Sequence, residues 1–264
     1  MNIEPWHSLE QVIIDQLDLQ VELSFSRHHE FMLRNGLTNC SHVLDLGTGN
    51  GRFLSRIAAH HPEIRFYGID DEPYMIDAAR NTRLQNVIWQ TLDVNNLVSF
   101  RELRVIDGIL MRYFLLHLPN VREILNMISK NVRKATKLWI FDLDMNQFFC
   151  DPHHQAFDQI KNLVQRFCDR FSIDSMAASR LPELLRETGF EMTGEEVEPF
   201  NNRQIKIESF KKFLSQEVYL FRSFLGESPD SSEAKTIDQF IWHELNEDNY
   251  LVRYGMVMIV AIKV

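Results

Sequence analysis

The residues best suited to ligand chemistry lie in a glycine-rich turn. The short strand Val43–Leu46 leads into Gly47, Gly49 and Gly51, and a helical pattern follows. Glycine permits the positive φ angles and the close backbone approach that a ligand needs at a strand-to-helix turn. Dinucleotide-binding turns have the spacing G-x-G-x-x-G, whereas this chain has G-x-G-x-G with Asp45 two residues ahead. A carboxylate there would repel a pyrophosphate, so the turn favours a ligand that has an ammonium group and no phosphate.

A second acid follows at a spacing typical of nucleotide-binding units. Asp70 ends the apolar run Phe66–Ile69. It lies about 20 residues after the turn, where an acid meets a ribose hydroxyl in βαβ units. Pro73 then stands at the first turn of a helix, where its missing N–H has no cost.

The stretch 43–51 resembles the first motif of the class I S-adenosylmethionine-dependent methyltransferases, in their small-molecule branch. The likeness extends over about residues 27–190. It implies S-adenosylmethionine as the cofactor. The cofactor-binding residues that it implies are Asp45, Gly47, Thr48, Gly49, Gly51, Asp70, Asp71, Met75, Asp93, Val94, Met111 and Arg112.

The resemblance also implies roles for these residues. Asp70 would bind the ribose, and Asp93, after the third strand, would accept a hydrogen bond from the adenine amino group. Asp71 occupies a place where the family usually has an apolar residue packed on adenine, which shifts that contact to Met75. The pair Met111–Arg112 would border the methyl-donor end.

Strand-like and helix-like stretches alternate along the middle of the chain. This alternation is typical of βαβ units around a parallel sheet. We therefore expect an α/β fold, a Rossmann-like methyltransferase sheet with helices on both faces and a helical cap. The expected strands are His42–Leu46, Phe66–Ile69, Val87–Thr91, Ile106–Leu110 and Leu138–Leu143, and the expected helices are Phe53–Ala59, Tyr74–Arg80 and Val121–Asn131.

The remaining segments are expected to add helices to this core. The expected divisions are an N-terminal helical cap segment at 1–36, the cofactor-binding core at 37–144, a helical cap insertion at 145–180, and the rest of the core at 181–264 with a second insertion at 200–249. Helical spacing indicates a leading helix at Leu9–Leu33, a helix ending before Gly189 and a final strand Gly255–Ile262. Phenylalanines recur in both insertions and either form a core or face a substrate: Phe157, Phe167, Phe210, Phe213 and Phe221.

Composition excludes several classes of protein. Hydrophobic residues make up 45% of the chain and charged residues 25%, which is ordinary for a globular protein. The net charge of -9 disfavours nucleic acid as a substrate. No apolar run approaches the ~20 residues of a membrane helix, and residues 1–10 show no export signal. Three widely spaced cysteines, Cys40, Cys150 and Cys168, indicate free thiols and a cytoplasmic protein.

No metal site is expected, because the histidines occur as adjacent pairs. Neighbouring residues on a helix point about 100° apart, so His28–His29 or His60–His61 would seldom share one ion. His117 is either a general base or a support for its loop, and the second reading is favoured. The catalytic residue is therefore left open.

The expected activity is methyl transfer from S-adenosylmethionine to an oxygen, nitrogen or carbon of a small, partly apolar molecule. The position after the fourth strand reads Met111–Phe114 and lacks the N-P-P-Y tetrad of related enzymes that methylate adenine or glutamine amines. One alternative is a nicotinamide-dependent oxidoreductase, which should show G-x-G-x-x-G. Another is a non-catalytic regulatory or scaffold protein that binds S-adenosylmethionine. The acceptor and the oligomeric state stay open.

Overall fold

The computed structural model of the chain describes residues 9–198 and 200–264. It divides into two units. The sheet unit consists of Phe25–Leu143, Met176–Val197 and Val257–Val264. The helical unit consists of the described residues up to Ser24 together with those of Asp144–Ser175 and Glu198–Met256.

The sheet unit is built on a seven-stranded sheet. In chain order the strands are β1 His42–Leu46, β2 Arg65–Asp70, β3 Val87–Thr91, β4 Gly108–Arg112, β5 Lys137–Leu143, β6 Phe149–Asp151, β7 Phe190–Glu198, β8 Leu251–Arg253 and β9 Met256–Lys263. The order in the seven-stranded sheet is β3-β2-β1-β4-β5-β9-β7, and the pairings among β1 to β5 are parallel. Several of these strands are near-continuous apolar runs, as expected for parallel strands covered on both faces.

Amphipathic helices connect the strands. In the helix Arg52–His60, for example, Phe53, Leu54 and Ile57 are buried at helical spacing, while its two terminal residues are exposed. In chain order the helices are α1 Glu10–Arg34, α2 Arg52–His60, α3 Pro73–Arg80, α4 Val121–Asn131, α5 Gln155–Phe171, α6 Ala177–Glu187, α7 Ile207–Leu225 and α8 Ser232–Gln239.

Strand register brings the carboxyl ends of the central strands to one edge of the sheet. Leu46, the last residue of β1, is paired with Ile69 on one side and with Met111 on the other. Asp70, the last residue of β2, is paired with Thr91 at the end of β3. The turns after β1, β2, β3 and β4 therefore begin along a common edge.

Most of the predicted elements are confirmed. The leading helix runs over Glu10–Arg34, and the glycine turn connects β1 to α2 as predicted. The strand predicted at Ile106–Leu110 is wrong by two residues, since β4 is Gly108–Arg112. Asp107 belongs instead to the connection, where its carboxylate accepts backbone hydrogen bonds from Ser41 and His42.

The helical insertions are more finely divided than predicted. The stretch 145–180 contains the short strand β6 before α5, and β6 pairs antiparallel with β8 in a two-stranded sheet. The second insertion contains α8 and a short π-helix, Phe240–Glu244, in addition to α7. The strands β7 and β8 were not predicted, because β7 is largely polar and β8 has three residues.

The helical unit has an aromatic core around a buried carboxyl group. Glu217 accepts hydrogen bonds from Gln16 at 2.6 Å and from the Tyr254 hydroxyl at 3.1 Å, and burial raises its pKa. The Tyr254 ring packs edge-on against Phe148 and Phe213. Of the phenylalanines predicted as core or substrate-facing, Phe157, Phe167, Phe210 and Phe213 are buried, whereas Phe221 is half-buried.

Two sequence expectations reach beyond the described residues. Residues 1–8, which include most of the segment read for an export signal and the start of the expected helical segment 1–36, lie outside them. Across 9–198 and 200–264, no helix has the length and apolar character needed to cross a membrane.

Residues 25–34 of α1 belong to the sheet unit and pack on β5 within it, which yields a prediction. The buried Phe31 ring lies 5.8 Å from the Phe141 ring of β5. We expect Phe31→Ala to lower the free energy of unfolding by about 3 to 5 kcal/mol, because it leaves a cavity. Leu33→Ala, an exposed position on the same helix, should change it by at most about 0.5 kcal/mol. Urea titration of both variants measures the difference, and equal costs would contradict the packing.

Candidate functional site

The glycine turn has the backbone conformation that its sequence requires. Gly47, Gly49 and Gly51 have φ angles of 69°, 56° and 70°. The N–H groups of Gly47 and Thr48 both donate to the Ile69 carbonyl, at 3.0 and 2.9 Å. The turn after β1 is therefore fixed to the end of β2.

Neighbouring side chains fill the space that two of these glycines leave. A Cβ atom on Gly47 would lie 2.3 Å from the Phe114 ring. One on Gly51 would lie 2.6 Å from Ala79 and 2.8 Å from Trp89. Helix α3, strand β3 and the segment after β4 thus all contact the turn, and larger residues would displace them.

Asp70 connects the turn to the helix that follows β2. One carboxylate oxygen accepts the Gly49 N–H at 2.8 Å, and the other accepts the Glu72 N–H at 3.1 Å. Burial raises the pKa of this carboxyl, and the two backbone hydrogen bonds oppose the increase. A carboxylate oxygen has two lone pairs. Asp70 can therefore hold the turn and still accept a hydrogen bond from a ligand.

Asp45 is a buried acid beneath the turn. It is 3% exposed and accepts a hydrogen bond from the Thr48 hydroxyl at 2.7 Å. Burial raises its pKa to about 7, although the Thr48 hydrogen bond and the charge of Arg112 lower it. A carboxyl with such a pKa changes charge near neutral pH, which is typical of functional sites.

The end of β4 lies beside this acid. The Arg112 guanidinium is 4.7 Å from the centre of the Phe53 ring and 4.9 Å from that of Tyr113. Met111 is fully buried in the hydrophobic core of the sheet unit. A ligand contact of Arg112 or Met111 stays a prediction, and for Met111 it would require movement of the residues that cover it.

Four further predicted cofactor-binding residues lie beyond the ends of β2 and β3. Asp71 and Asp93 are exposed, and Met75 and Val94 are buried. Asp93 caps the 3-10 helix Val94–Ser99, where it accepts hydrogen bonds from the backbone and side-chain nitrogens of Asn95, both at 2.8 Å. Their roles as ligands also stay predictions.

Sequence reasoning did not identify two aromatic residues of the site. Phe114 lies against Gly47, and Trp89 lies against Gly51 and Gly68. A signal for Trp89 was present, because Gly68 is a glycine inside an apolar strand, and such a glycine marks a close approach. Nothing in the local sequence indicates that the Phe114 ring covers the turn.

Histidines from two different sequence-adjacent pairs contact each other in the structure. His29 and His61 are hydrogen bonded through their Nε2 atoms, 2.8 Å apart, and burial lowers the pKa of His29 to about 4. In the described part of the chain, no group of three or more His, Cys, Asp or Glu residues is arranged to hold a metal ion. His117 is exposed at the end of the 3-10 helix Leu115–His117.

Comparison with known proteins identifies the family of this fold and site. The methyltransferase domain family matches residues 37–189, more than half of the 264 residues. The chain belongs to this family. The predicted membership of the class I methyltransferases and the predicted Rossmann-like α/β fold are confirmed.

Three curated relatives show the range of proteins that this methyltransferase domain resembles. An O-methyltransferase of Pyrenophora dematioidea is 29% identical over 159 residues, which is 56% of this chain and 54% of that protein. The O-methyltransferase resE of Aspergillus sclerotiorum is 27% identical over 192 residues, 70% of this chain and 66% of that protein. A tRNA (guanine-N(7)-)-methyltransferase of Halalkalibacterium halodurans is 37% identical over 76 residues, 27% of this chain and 33% of that protein. The chain thus spans about one third to two thirds of the length of these relatives.

Solved structures share the fold at low sequence identity. The plantazolicin methyltransferase BpumL, in complex with SAH and a triazolic desmethylPZN analog, has a TM-score of 0.58 and 16% identity, with 96% of this chain and 90% of that chain covered. The [4+2]-cyclase SpnF has a TM-score of 0.55 and 16% identity, with 84% and 74% covered. The fold alone therefore does not decide the reaction.

The contact between Phe114 and Gly47 can be tested by a double-mutant cycle. Gly47→Ala and the control Gly226→Ala both force alanine into a left-handed conformation, at about 1 to 2 kcal/mol. Only Gly47→Ala also places a Cβ against the Phe114 ring, since a Cβ on Gly226 would have no atom within 4 Å. We expect a further loss of about 1 to 3 kcal/mol in Gly47→Ala from overpacking.

In a Phe114→Ala background this additional loss should disappear. Urea titration of the two single variants, the double variant and Gly226→Ala measures it. An undiminished cost of Gly47→Ala in that background would show that Phe114 does not lie on the turn.

Proposed function

We propose that the chain is an S-adenosylmethionine-dependent methyltransferase that acts on oxygen, nitrogen or carbon of a small, partly apolar molecule. The observation that carries this proposal is the glycine turn of a methyltransferase domain with two acids, Asp45 and Asp70, at its base. The names of two relatives support the proposal, because both proteins are called O-methyltransferases.

The chemistry of the turn fits this cofactor. S-adenosylmethionine has an ammonium group, ribose hydroxyls and an adenine, and no phosphate. Asp45 would provide negative charge toward the ammonium group, and Asp70 would accept from a ribose hydroxyl. Asp93 and Met75 would hold the adenine by a hydrogen bond and by apolar contact. The solved neighbour BpumL in complex with SAH also supports the choice of cofactor.

The protein contributes alignment more than covalent chemistry. When bound, the cofactor supplies a sulfonium methyl group that an acceptor atom attacks in line. The chain must then hold the donor at the turn, exclude water and, for a weakly acidic acceptor, accept a proton. We assign no residue as the base.

The acceptor class rests on charge and on the relatives. A net charge of -9 disfavours a nucleic acid, and the tRNA methyltransferase matches 27% of this chain, against 56% and 70% for the O-methyltransferases. The division of the chain into a cofactor-binding core with helical insertions, and a cytoplasmic location, remain part of the proposal.

The test is turnover by the purified protein. We expect SAH to form from S-adenosylmethionine in the presence of at least one of a panel of phenols, carboxylic acids, amines and activated carbon acids. Reactions without acceptor and with unmodified tRNA serve as controls. Binding of the cofactor with no turnover across the panel would favour the non-catalytic alternative, and turnover with tRNA alone would contradict the acceptor class.

The raised pKa of Asp45 predicts how affinity depends on pH. Because this pKa is about 7 in the ligand-free protein, the carboxyl is largely neutral at lower pH and must lose a proton to pair with an ammonium group. The affinity for SAH should therefore rise by up to about tenfold per pH unit as pH increases toward 7, and then level off. Calorimetric titration from pH 5.5 to 7.5 measures the slope.

Asp45→Asn cannot ionise and provides the control. Its affinity should be weaker at pH 7.5 and should depend less on pH than that of the wild type. Identical slopes in the two proteins would remove Asp45 from the binding of the ammonium group.

A further inference from the structure

A second buried acid, Asp142, lies on β5, which is separated from β1 and its glycine turn by one strand, β4. Asp142 interrupts the apolar strand β5 and is 1% exposed. A buried carboxylate is costly unless hydrogen bonds replace its water. The hydrogen-bond donors around Asp142 must therefore offset the cost of burying its carboxylate.

The partners of Asp142 lie at the start of the segment that follows β4. One carboxylate oxygen accepts the Leu116 N–H at 3.2 Å, and the Leu115 N–H also donates to the carboxyl. The other oxygen accepts the Leu143 N–H at 2.9 Å. Asp142 thus binds the first two N–H groups of the 3-10 helix Leu115–His117, groups that lack partners within that helix.

The same segment is held by β5 at a second point. Tyr113 has a φ of 52°, an uncommon conformation for a residue other than glycine. Its N–H donates to the Phe141 carbonyl at 2.7 Å. We call residues 113–117 the Phe114 loop, and β5 fixes it through the Phe141 carbonyl and the Asp142 carboxyl.

The loop places one ring on the glycine turn. Phe114 lies between Tyr113 and the residues that Asp142 binds, and its ring occupies the space beside Gly47. The path from Asp142 to the turn therefore passes through two backbone N–H groups and one aromatic ring.

We propose that Asp142 is a positioning residue for cofactor binding, which fixes the Phe114 loop so that the Phe114 ring supports the glycine turn. This inference rests on the proposed function. In this role Asp142 contacts no ligand itself and acts through Phe114.

The test compares two acids that both accept backbone N–H groups. Asp142→Asn keeps the shape and replaces one acceptor oxygen with a donor. Asp107→Asn makes the same change just before β4. There the Asp107 carboxylate accepts hydrogen bonds from the Ser41 and His42 N–H groups at the amino end of β1, and the glycine turn follows the carboxyl end of that strand. Burial raises the pKa of the Asp142 carboxyl to about 7. We therefore measure at pH 8, where this carboxyl is mostly ionised.

We expect Asp142→Asn to raise the Kd for SAH by about tenfold, as the loss of a hydrogen bond to a charged group would. Asp107→Asn should lower stability without changing this Kd. Equal Kd values for Asp142→Asn and the wild type, or an equal increase in both variants, would overturn the inference.

A coupling measurement separates positioning from general destabilisation. If Asp142 acts through Phe114, then Asp142→Asn in a Phe114→Ala background should leave the Kd for SAH at the value of Phe114→Ala alone. Full additivity of the two effects would contradict this. If Asp142→Asn does not fold, Phe114→Ala by itself must still raise the Kd, and an unchanged Kd would overturn the inference. A wild-type protein that does not bind SAH contradicts the proposed function itself.

Discussion

The hydrogen bond between the Asp70 carboxylate and the Gly49 N–H holds the site together. It joins the end of β2 to the turn after β1, and it forms only because parallel register brings both strand ends to one edge. A positive φ at Gly49 presents the N–H to the acid, and Asp70 also fixes the start of α3 through Glu72. One half-buried carboxyl thus connects the sheet, the turn and the following helix, and it retains lone pairs for a ligand.

Buried acids recur in this molecule, and their surroundings differ. Burial raises the pKa of Asp45 and Asp142 to about 7, and both lie near the carboxyl ends of the strands. Glu217, in the helical unit, is also buried with a raised pKa, but it accepts hydrogen bonds from Gln16 and Tyr254 within an aromatic core. A raised pKa therefore marks a functional acid only together with its position. Structural networks produce the same shift.

Local patterns were sufficient for most of the parallel strands and for the turn. Strand β1, the three glycines and the spacing to Asp70 could be read directly, because each depends on neighbours in sequence. Contacts between distant segments could not: Phe114 meets Gly47, and Asp142 meets Leu116, through tertiary packing that no periodicity encodes. The three-residue strand β8 was missed because its pairing with β6 spans about 100 residues of intervening chain and leaves no local signal.

Calorimetric titration of SAH into the wild type, Gly49→Val and Gly226→Val tests most directly whether the glycine turn binds the cofactor. Both variants force a branched residue into a left-handed conformation, but only Gly49 donates to Asp70. We expect micromolar-scale binding by the wild type and by Gly226→Val, and no measurable binding by a folded Gly49→Val. Normal binding by Gly49→Val would contradict the assignment of this turn as the cofactor site.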